Sequence, residues 1–165
     1  MSKIWSVWLL PKGADKIYLS DYINIYSNLY DSKRFYPHLT LFGRVDLNPE
    51  LFFPFFNEIR LDTKISNVKT LSIKIGKSYF KKLYIPLVYN EKIYAIQKKV
   101  DSILKNYKKY KFDPHMSLAY GNFTARKKDN KLISPITKIS FSSLAIVHTP
   151  DEIKNWSVIK KFYSN

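Results

Sequence analysis

The apolar residues change period along this chain, and each change predicts an element. Ile4 to Leu10 is a run of β-branched and aromatic residues stopped by Pro11, Lys12 and Gly13, which predicts a strand. From Asp15 to Leu29 the apolar positions are Ile17, Tyr18, Tyr22, Ile25, Tyr26 and Leu29, close to a helical stripe. Asp31 to Arg34 is a polar connection. Gly43 to Pro49 is expected to turn, and Pro49 to about Asn57 to form a second helix. Pro54 is tolerable there only in the first turn. Leu61 to Ile75 alternates in part and should give one or two strands, with Gly76-Lys77-Ser78 as a turn. Leu83 to Val88 reads as another strand, whose internal Pro86 suggests an edge position or a bulge. Asn90 to about Tyr107 is the clearest helix, with Ile93, Ile96, Val100, Ile103 and Leu104 on one stripe and lysines opposite. Thr124 to Asn130 is a loop or a short helix. Ile139 to His148 and Trp156 to Phe162 are two closing strands.

Between these elements the chain says one phrase twice. Phe35-Tyr36-Pro37-His38-Leu39-Thr40-Leu41 returns as Phe112-Asp113-Pro114-His115-Met116-Ser117-Leu118, and a glycine follows each copy at Gly43 and Gly121. The histidines lie 77 residues apart, and each copy follows a predicted helix. A strand repeats every two residues, so His38 and Thr40 share one face, as do His115 and Ser117, while Leu39, Leu41, Met116 and Leu118 face the core. This crude duplication predicts an α+β fold over residues 1–165. The expectation is one domain of two similar α+β lobes that meet along the His-strands, with helices outside.

Composition narrows the partners. Formal charge is +15 and the pI about 9.8, which suits an anionic partner such as a nucleotide or RNA. Richness in Lys, Ile, Asn, Tyr and Phe is also what AT-rich coding DNA produces, so charge alone names no ligand. There is no cysteine, which removes disulfides and thiolate metal sites, and no His-x-x-x-His or carboxylate cluster argues for a metal. The opening apolar run is too short to span a membrane. A monomeric, cytoplasmic protein without cofactor is expected.

The chemistry lies in the doubled phrase. Cleaving a phosphodiester without a metal needs a base for water, an acid for the leaving oxygen, and donors for the phosphoryl oxygens. His38 and His115 suit the first two roles near neutral pH, and Thr40 and Ser117 the third. Imidazole and hydroxyl two residues apart on a strand are separated by roughly 6 to 7 Å, room for a phosphorus. Sequence does not fix which histidine is base; the expectation taken here is His115 as base and His38 as acid. Arg34 is a candidate phosphate contact. Trp5 and Trp8 fall on opposite strand faces, so one is core and the other, taken as Trp8, is free to stack on a base. Trp156 is assigned to the core and His148 to the surface. Lys108, Lys109, Lys111, Lys127 and Lys128 form either a phosphate funnel or a solvated face.

His38-Leu39-Thr40-Leu41 and His115-Met116-Ser117-Leu118 resemble the paired motifs of the 2H phosphoesterases. Trp5 to Pro11, Arg34 to Pro37, Tyr120, Leu144 to Asp151 and Asn155-Trp156 are similar to the plant-type cyclic phosphodiesterases within that superfamily. The resemblance implies a bilobal fold of two pseudo-symmetric, interleaved antiparallel-sheet lobes with outer helices and a central cleft. It implies metal-independent hydrolysis of a cyclic phosphate on ribose, of the 2′,3′-cyclic nucleotide or ADP-ribose 1″,2″-cyclic phosphate type. It implies that His38, Thr40, His115 and Ser117 line the site and that Tyr120 flanks the substrate. An ideal strand would put Tyr120 on the other face, so a bend before Gly121 is required. Superfamily relatives act instead on 2′-5′ oligoadenylate, cyclic dinucleotides or RNA ends, and a non-catalytic RNA-binding module is the rival from another class.

Overall fold

The computed structural model describes residues 3–164. The chain runs through β1 (Lys3–Pro11), α1 (Gly13–Tyr30), β2 (Leu39–Leu47), a 3-10 turn at Pro49–Phe52, α2 (Phe53–Ile59) and β3 (Ile65–Lys69). It continues through β4 (Lys74–Ser78), β5 (Lys81–Pro86), α3 (Glu91–Leu104), β6 (His115–Ala119), β7 (Lys138–His148) and β8 (Ser157–Tyr163). The eight strands form one antiparallel sheet in the order β3-β7-β1-β2-β6-β5-β4, with β8 beside β7. The α+β expectation holds.

The two halves of the sheet touch through β2 and β6, and their ladder is one register pair, Leu39 with Met116. Both side chains are fully buried, with Leu41 and Leu118, in the main core. The helices cross over beneath this seam. α1 follows β1 in sequence but packs chiefly on β6, and α3 packs on β2. α1 buries Leu19, Ile23 and Tyr26; α3 buries Ile93, Ile96, Val100 and Leu104. Each half is thus covered by the helix that precedes the other half's strand. The two sides of the seam are unequal: β1, β2, β3, β7 and β8 lie on one side and β4, β5 and β6 on the other.

Caps and prolines explain several boundaries. The Asn90 side chain accepts from the Ile93 amide and starts α3. Pro54 falls in the first turn of α2, where its missing N–H costs nothing. Pro86 corrects the expectation of an edge strand. β5 lies between β6 and β4, and Pro86 is its last residue, past the end of the β4 ladder, so no bond is lost.

Two other turns fall elsewhere than expected. Gly43 lies inside β2 because Gly43 and Arg44 form a bulge against β1. Arg44 takes left-handed backbone (φ 52°), and its amide donates to Ser6 Oγ at 3.0 Å instead of to a ladder carbonyl. Gly76 lies inside β4, and the hairpin turns one step later at Tyr79-Phe80, between the Ser78–Lys81 pair. No helix among the described residues is long and apolar enough to cross a membrane.

Candidate active site

The seam register turns the doubled phrase into geometry. With Leu39 opposite Met116 in an antiparallel pair, His38 falls across from Ser117 and Thr40 across from His115. Leu39 and Met116 point into the core, so the other four point the opposite way. All four line one cavity of about 220 Å³, together with Ser6, Trp8, Gly43, Arg44, Phe80, Tyr110, Tyr120, Thr149 and Trp156.

Phe-x-Pro-His acquires a structural meaning here. His38 Nδ1 lies 2.6 Å from the Tyr36 carbonyl oxygen, and His115 Nδ1 lies 2.7 Å from that of Asp113. In both cases the carbonyl belongs to the residue before proline, whose tertiary amide contributes no N–H of its own at the next position. A carbonyl only accepts, so each Nδ1 carries the proton and each neutral imidazole keeps its lone pair on Nε2. One repeated phrase sets the tautomer twice.

The two imidazoles differ in surroundings. His38 is buried and lies flat on Trp8, with ring centres 3.6 Å apart and planes 8° apart. The Tyr120 hydroxyl is 3.4 Å from its Nε2. Burial, opposed by the Tyr36 carbonyl, drives the His38 pKa down to about 3. His115 is more open, and its ring meets the Tyr84 ring edge-on at 5.3 Å. Burial lowers its pKa too; the Asp113 carbonyl and carboxylate raise it, and the Lys81 charge lowers it. Asp113 Oδ2 is 4.0 Å from His115 Nδ1 and forms an ion pair with Lys81.

Tyr120 reaches the cavity because β6 ends at Ala119, which frees it from the strand alternation. Gly121 follows at φ +145°, a conformation few L residues adopt. Burial raises the Tyr120 pKa, so its hydroxyl stays protonated. The other glycine has a steric reason: a Cβ on Gly43 would stand 3.2 Å from the Tyr110 ring.

The remaining expectations divide. Trp5 is core, donating from its indole to the Leu47 carbonyl at 3.0 Å. Trp8 is in the cavity wall, but it is 2% exposed and His38 covers one face, so it is a platform for the imidazole before it is one for a base. Trp156, assigned to the core, is instead half-buried in the cavity wall, 5.6 Å from Trp8 and 5.7 Å from Tyr120 between ring centres. Arg34 is exposed and outside this cavity, and it donates to Asn28 at 3.1 Å. His148 ends β7, bonded to the Ile4 carbonyl, also outside the cavity.

Of the lysines, Lys108 donates to the Gly43 and Arg44 carbonyls, both at 2.8 Å, and so clamps the bulge. Sequence reasoning missed Phe80, Tyr110, Arg44 and the bonded pair Ser6–Thr149 (2.8 Å). For Phe80 a signal existed, an aromatic pair where a hairpin turn normally carries Gly or Asn. Among the described residues no three His, Cys, Asp or Glu side chains cluster as a metal site would require.

This sheet, with two histidine strands meeting at its seam, has a fold shared with solved structures that include one described as a phosphoesterase. The chain belongs to the cyclic phosphodiesterase-like protein family, whose profile matches residues 1–163. Solved structures share the fold at low identity. E. coli LigT complexed with 3′-AMP superposes with a TM-score of 0.61 at 10% identity, covering 99% of this chain and 98% of that one. TT0787 of Thermus thermophilus gives 0.61 at 13% identity, covering 97% of each. A structure described as a phosphoesterase gives 0.63 at 10%, covering 99% and 98%. No curated protein matches.

Proposed function

We propose that this protein hydrolyses a cyclic phosphodiester on ribose to a phosphomonoester, without a metal ion. The observation that carries the reading is the pair of Nδ1–carbonyl tethers, which leaves two imidazoles with Nε2 available in one cavity. Family membership supports phosphodiester hydrolysis in general, and E. coli LigT has been crystallised with 3′-AMP, ATP and NADP+, ligands of the same chemical kind.

The environments favour the reverse of the assignment expected from sequence. His38 is held neutral at working pH by burial, as a base must be. Burial lowers the His115 pKa as well, but His115 is the more open of the two and has the Asp113 carboxylate beside it, so it is the better placed to carry a proton. His38 Nε2 takes a proton from water as the water oxygen bonds to phosphorus. The P–O bond to one ribose oxygen breaks, and that oxygen receives the proton of His115 Nε2. Thr40 and Ser117 donate to the two non-bridging oxygens, and Tyr120 and Trp156 flank the nucleoside. The net change is one water added and one ester bond lost.

The test is a panel of 2′,3′-cyclic mononucleotides, ADP-ribose 1″,2″-cyclic phosphate and oligonucleotides, assayed with EDTA and followed by phosphorus NMR. A phosphomonoester formed at an unchanged rate under chelation is the expected result. Loss of turnover with EDTA overturns metal independence, and binding without hydrolysis identifies a nucleotide-binding module instead.

A further inference from the structure

Among the described residues Arg44 is the only permanent charge lining the cavity, and no carboxylate lines it. The bulge in β2 brings it there. Gly43 and Arg44 are the extra residues opposite β1, and the Arg44 amide is diverted to Ser6 Oγ. Lys108 holds both bulge carbonyls, so this left-handed arginine is built into the wall rather than left on a free loop. Backbone of this kind is strained, and such strain gathers where ligands are held.

The proposed reaction leaves two hydroxyls beside it unused. Ser6 and Thr149 are 3% and 2% exposed, line the same cavity and stand 2.8 Å apart. Each hydroxyl has one proton, and only one of the two protons lies between them. Ser6 Oγ also accepts from the Arg44 amide, and no other acceptor meets either hydroxyl among the described residues. Whichever of the pair donates to the other, one O–H is left over. A buried donor without an acceptor is costly, and an acceptor entering the cavity removes that cost.

Spacing and charge say what that acceptor is. Ser6 is two residues from Trp8, and Trp8 pairs with Thr40. The hydroxyl pair therefore stands one strand repeat, about 6–7 Å, from the row that carries Thr40. One ribose spans a similar length between a phosphate on its 2′,3′ edge and a phosphate on its 5′ oxygen. The Arg44 guanidinium rests on Asp151, two residues beyond Thr149, so its charge lies at this end of the cavity. That ion pair is open to water, with side chains 39% and 90% exposed, and it yields readily to a phosphate. A guanidinium edge and one hydroxyl together offer three donors, the number of oxygens on a terminal phosphate.

We infer that Arg44 and the Ser6–Thr149 pair form a second anion subsite inside the cavity, for a terminal phosphate on the 5′ oxygen of the reacting ribose. The substrate is then a nucleoside cyclic phosphate that also carries a 5′-phosphate, and Arg44 determines this specificity. Asp151 is the counter-ion that occupies Arg44 until that phosphate arrives. This inference rests on the proposed function for the placement of the reacting phosphate between the histidines.

Binding measured apart from turnover tests it. Affinities of adenosine 3′-monophosphate, adenosine 3′,5′-bisphosphate and ADP-ribose 2″-phosphate are compared by calorimetry. The wild type, Arg44→Gln, Asp151→Asn and Arg34→Gln are used, each checked for folding by circular dichroism. The wild type is expected to bind the bisphosphate about tenfold tighter than the monophosphate, and Arg44→Gln to reduce that ratio to about two. Asp151→Asn should raise the ratio, because the guanidinium loses its competitor. Arg34→Gln removes an equal charge outside the cavity and should leave the ratio unchanged within about twofold. Equal affinities, a ratio untouched by Arg44→Gln, or an equal fall in Arg34→Gln overturns the subsite. Asp151→Asn decides the matter if Arg44→Gln does not fold, and a ratio that fails to rise overturns the subsite. A gain for the ADP-ribose ligand as large as that for the bisphosphate overturns the terminal phosphate. An Arg44-dependent bisphosphate preference, in a protein that hydrolyses neither the panel nor a 5′-phosphorylated 2′,3′-cyclic nucleotide, overturns the proposed function and leaves the subsite standing.

Discussion

His38 and Trp8 lie face to face, ring centres 3.6 Å apart with planes 8° apart. Trp8 is itself buried and covers one side of the imidazole, and burial is the largest cause of the lowered His38 pKa. Trp8→Leu should therefore raise the His38 pKa from about 3 towards the ordinary value near 6.5. Proton–carbon NMR titration of the imidazole reads this directly, and an unmoved titration would show that Trp8 is not the shield. The same change should cost about 2–3 kcal/mol of stability through the cavity it leaves.

His38→Ala and His115→Ala should each lower turnover by about 10²- to 10⁴-fold, the usual contribution of a positioned acid or base, with the circular dichroism spectrum retained. Thr40→Ala and Ser117→Ala should cost about tenfold to a hundredfold each, as lost donors to the developing charge on the phosphoryl oxygens. Wild-type rates in either histidine variant would sink the mechanism.

Asp113→Asn separates the two assignments of acid and base. The Asp113 carboxylate favours protonated His115, so its removal lowers the His115 pKa. If His115 is the acid, the alkaline limb of the kcat/KM profile moves to lower pH. If His115 is the base, the acidic limb moves instead. The pH profile of this single variant decides between them.

Stability should also report on His38. Its folded pKa is about 3 and its unfolded value about 6.5, so above pH 6.5 the proton is absent from both states and the difference contributes nothing adverse. Between those values the unfolded chain binds a proton that the native site refuses. Stability therefore falls as pH drops from about 6.5 towards 3. In urea unfolding at pH 7 and pH 4.5, His38→Gln should lose less than the wild type, and an equal loss would contradict the buried neutral imidazole.

Gly121→Ala should destabilise by about 1–3 kcal/mol, because φ +145° is strained for alanine and the new Cβ would stand 2.9 Å from the Phe123 ring. For a chain of this size that corresponds to a melting temperature lower by roughly 2–4 °C per kcal/mol. Activity should fall as well, since the same bend delivers Tyr120 to the cavity.

The parts legible in the sequence were those fixed by local rules. Period-two alternation placed His38 with Thr40 and His115 with Ser117, and all four side chains line one cavity. The α3 stripe was visible because one face is apolar and the other is lysine. What stayed hidden depended on distant partners. Gly43 looks like a turn until the bulge against Ser6 and the ring of Tyr110 are seen. Trp156 looks like core because nothing nearby in sequence places it beside Trp8 and Tyr120. The crossing of α1 under β6 could not be read either, since α1 carries no residue type that names its partner strand.

The seam between β2 and β6 rests on one ladder pair, Leu39 with Met116. A slip of two residues there would keep every side chain on its own face yet move His115 by roughly 7 Å relative to His38, too far for one phosphorus to serve both. One pair of backbone bonds is a weak guard against that. The alignment of the two imidazoles is therefore set from below, by the apolar faces of α1 and α3 wedged under the opposite strands. The tolerance of the proposed reaction to substitution should follow the fit of Leu19, Ile23, Ile96 and Val100, none of which lines the cavity. In this molecule the hydrophobic core is the jig that holds the two imidazoles in line.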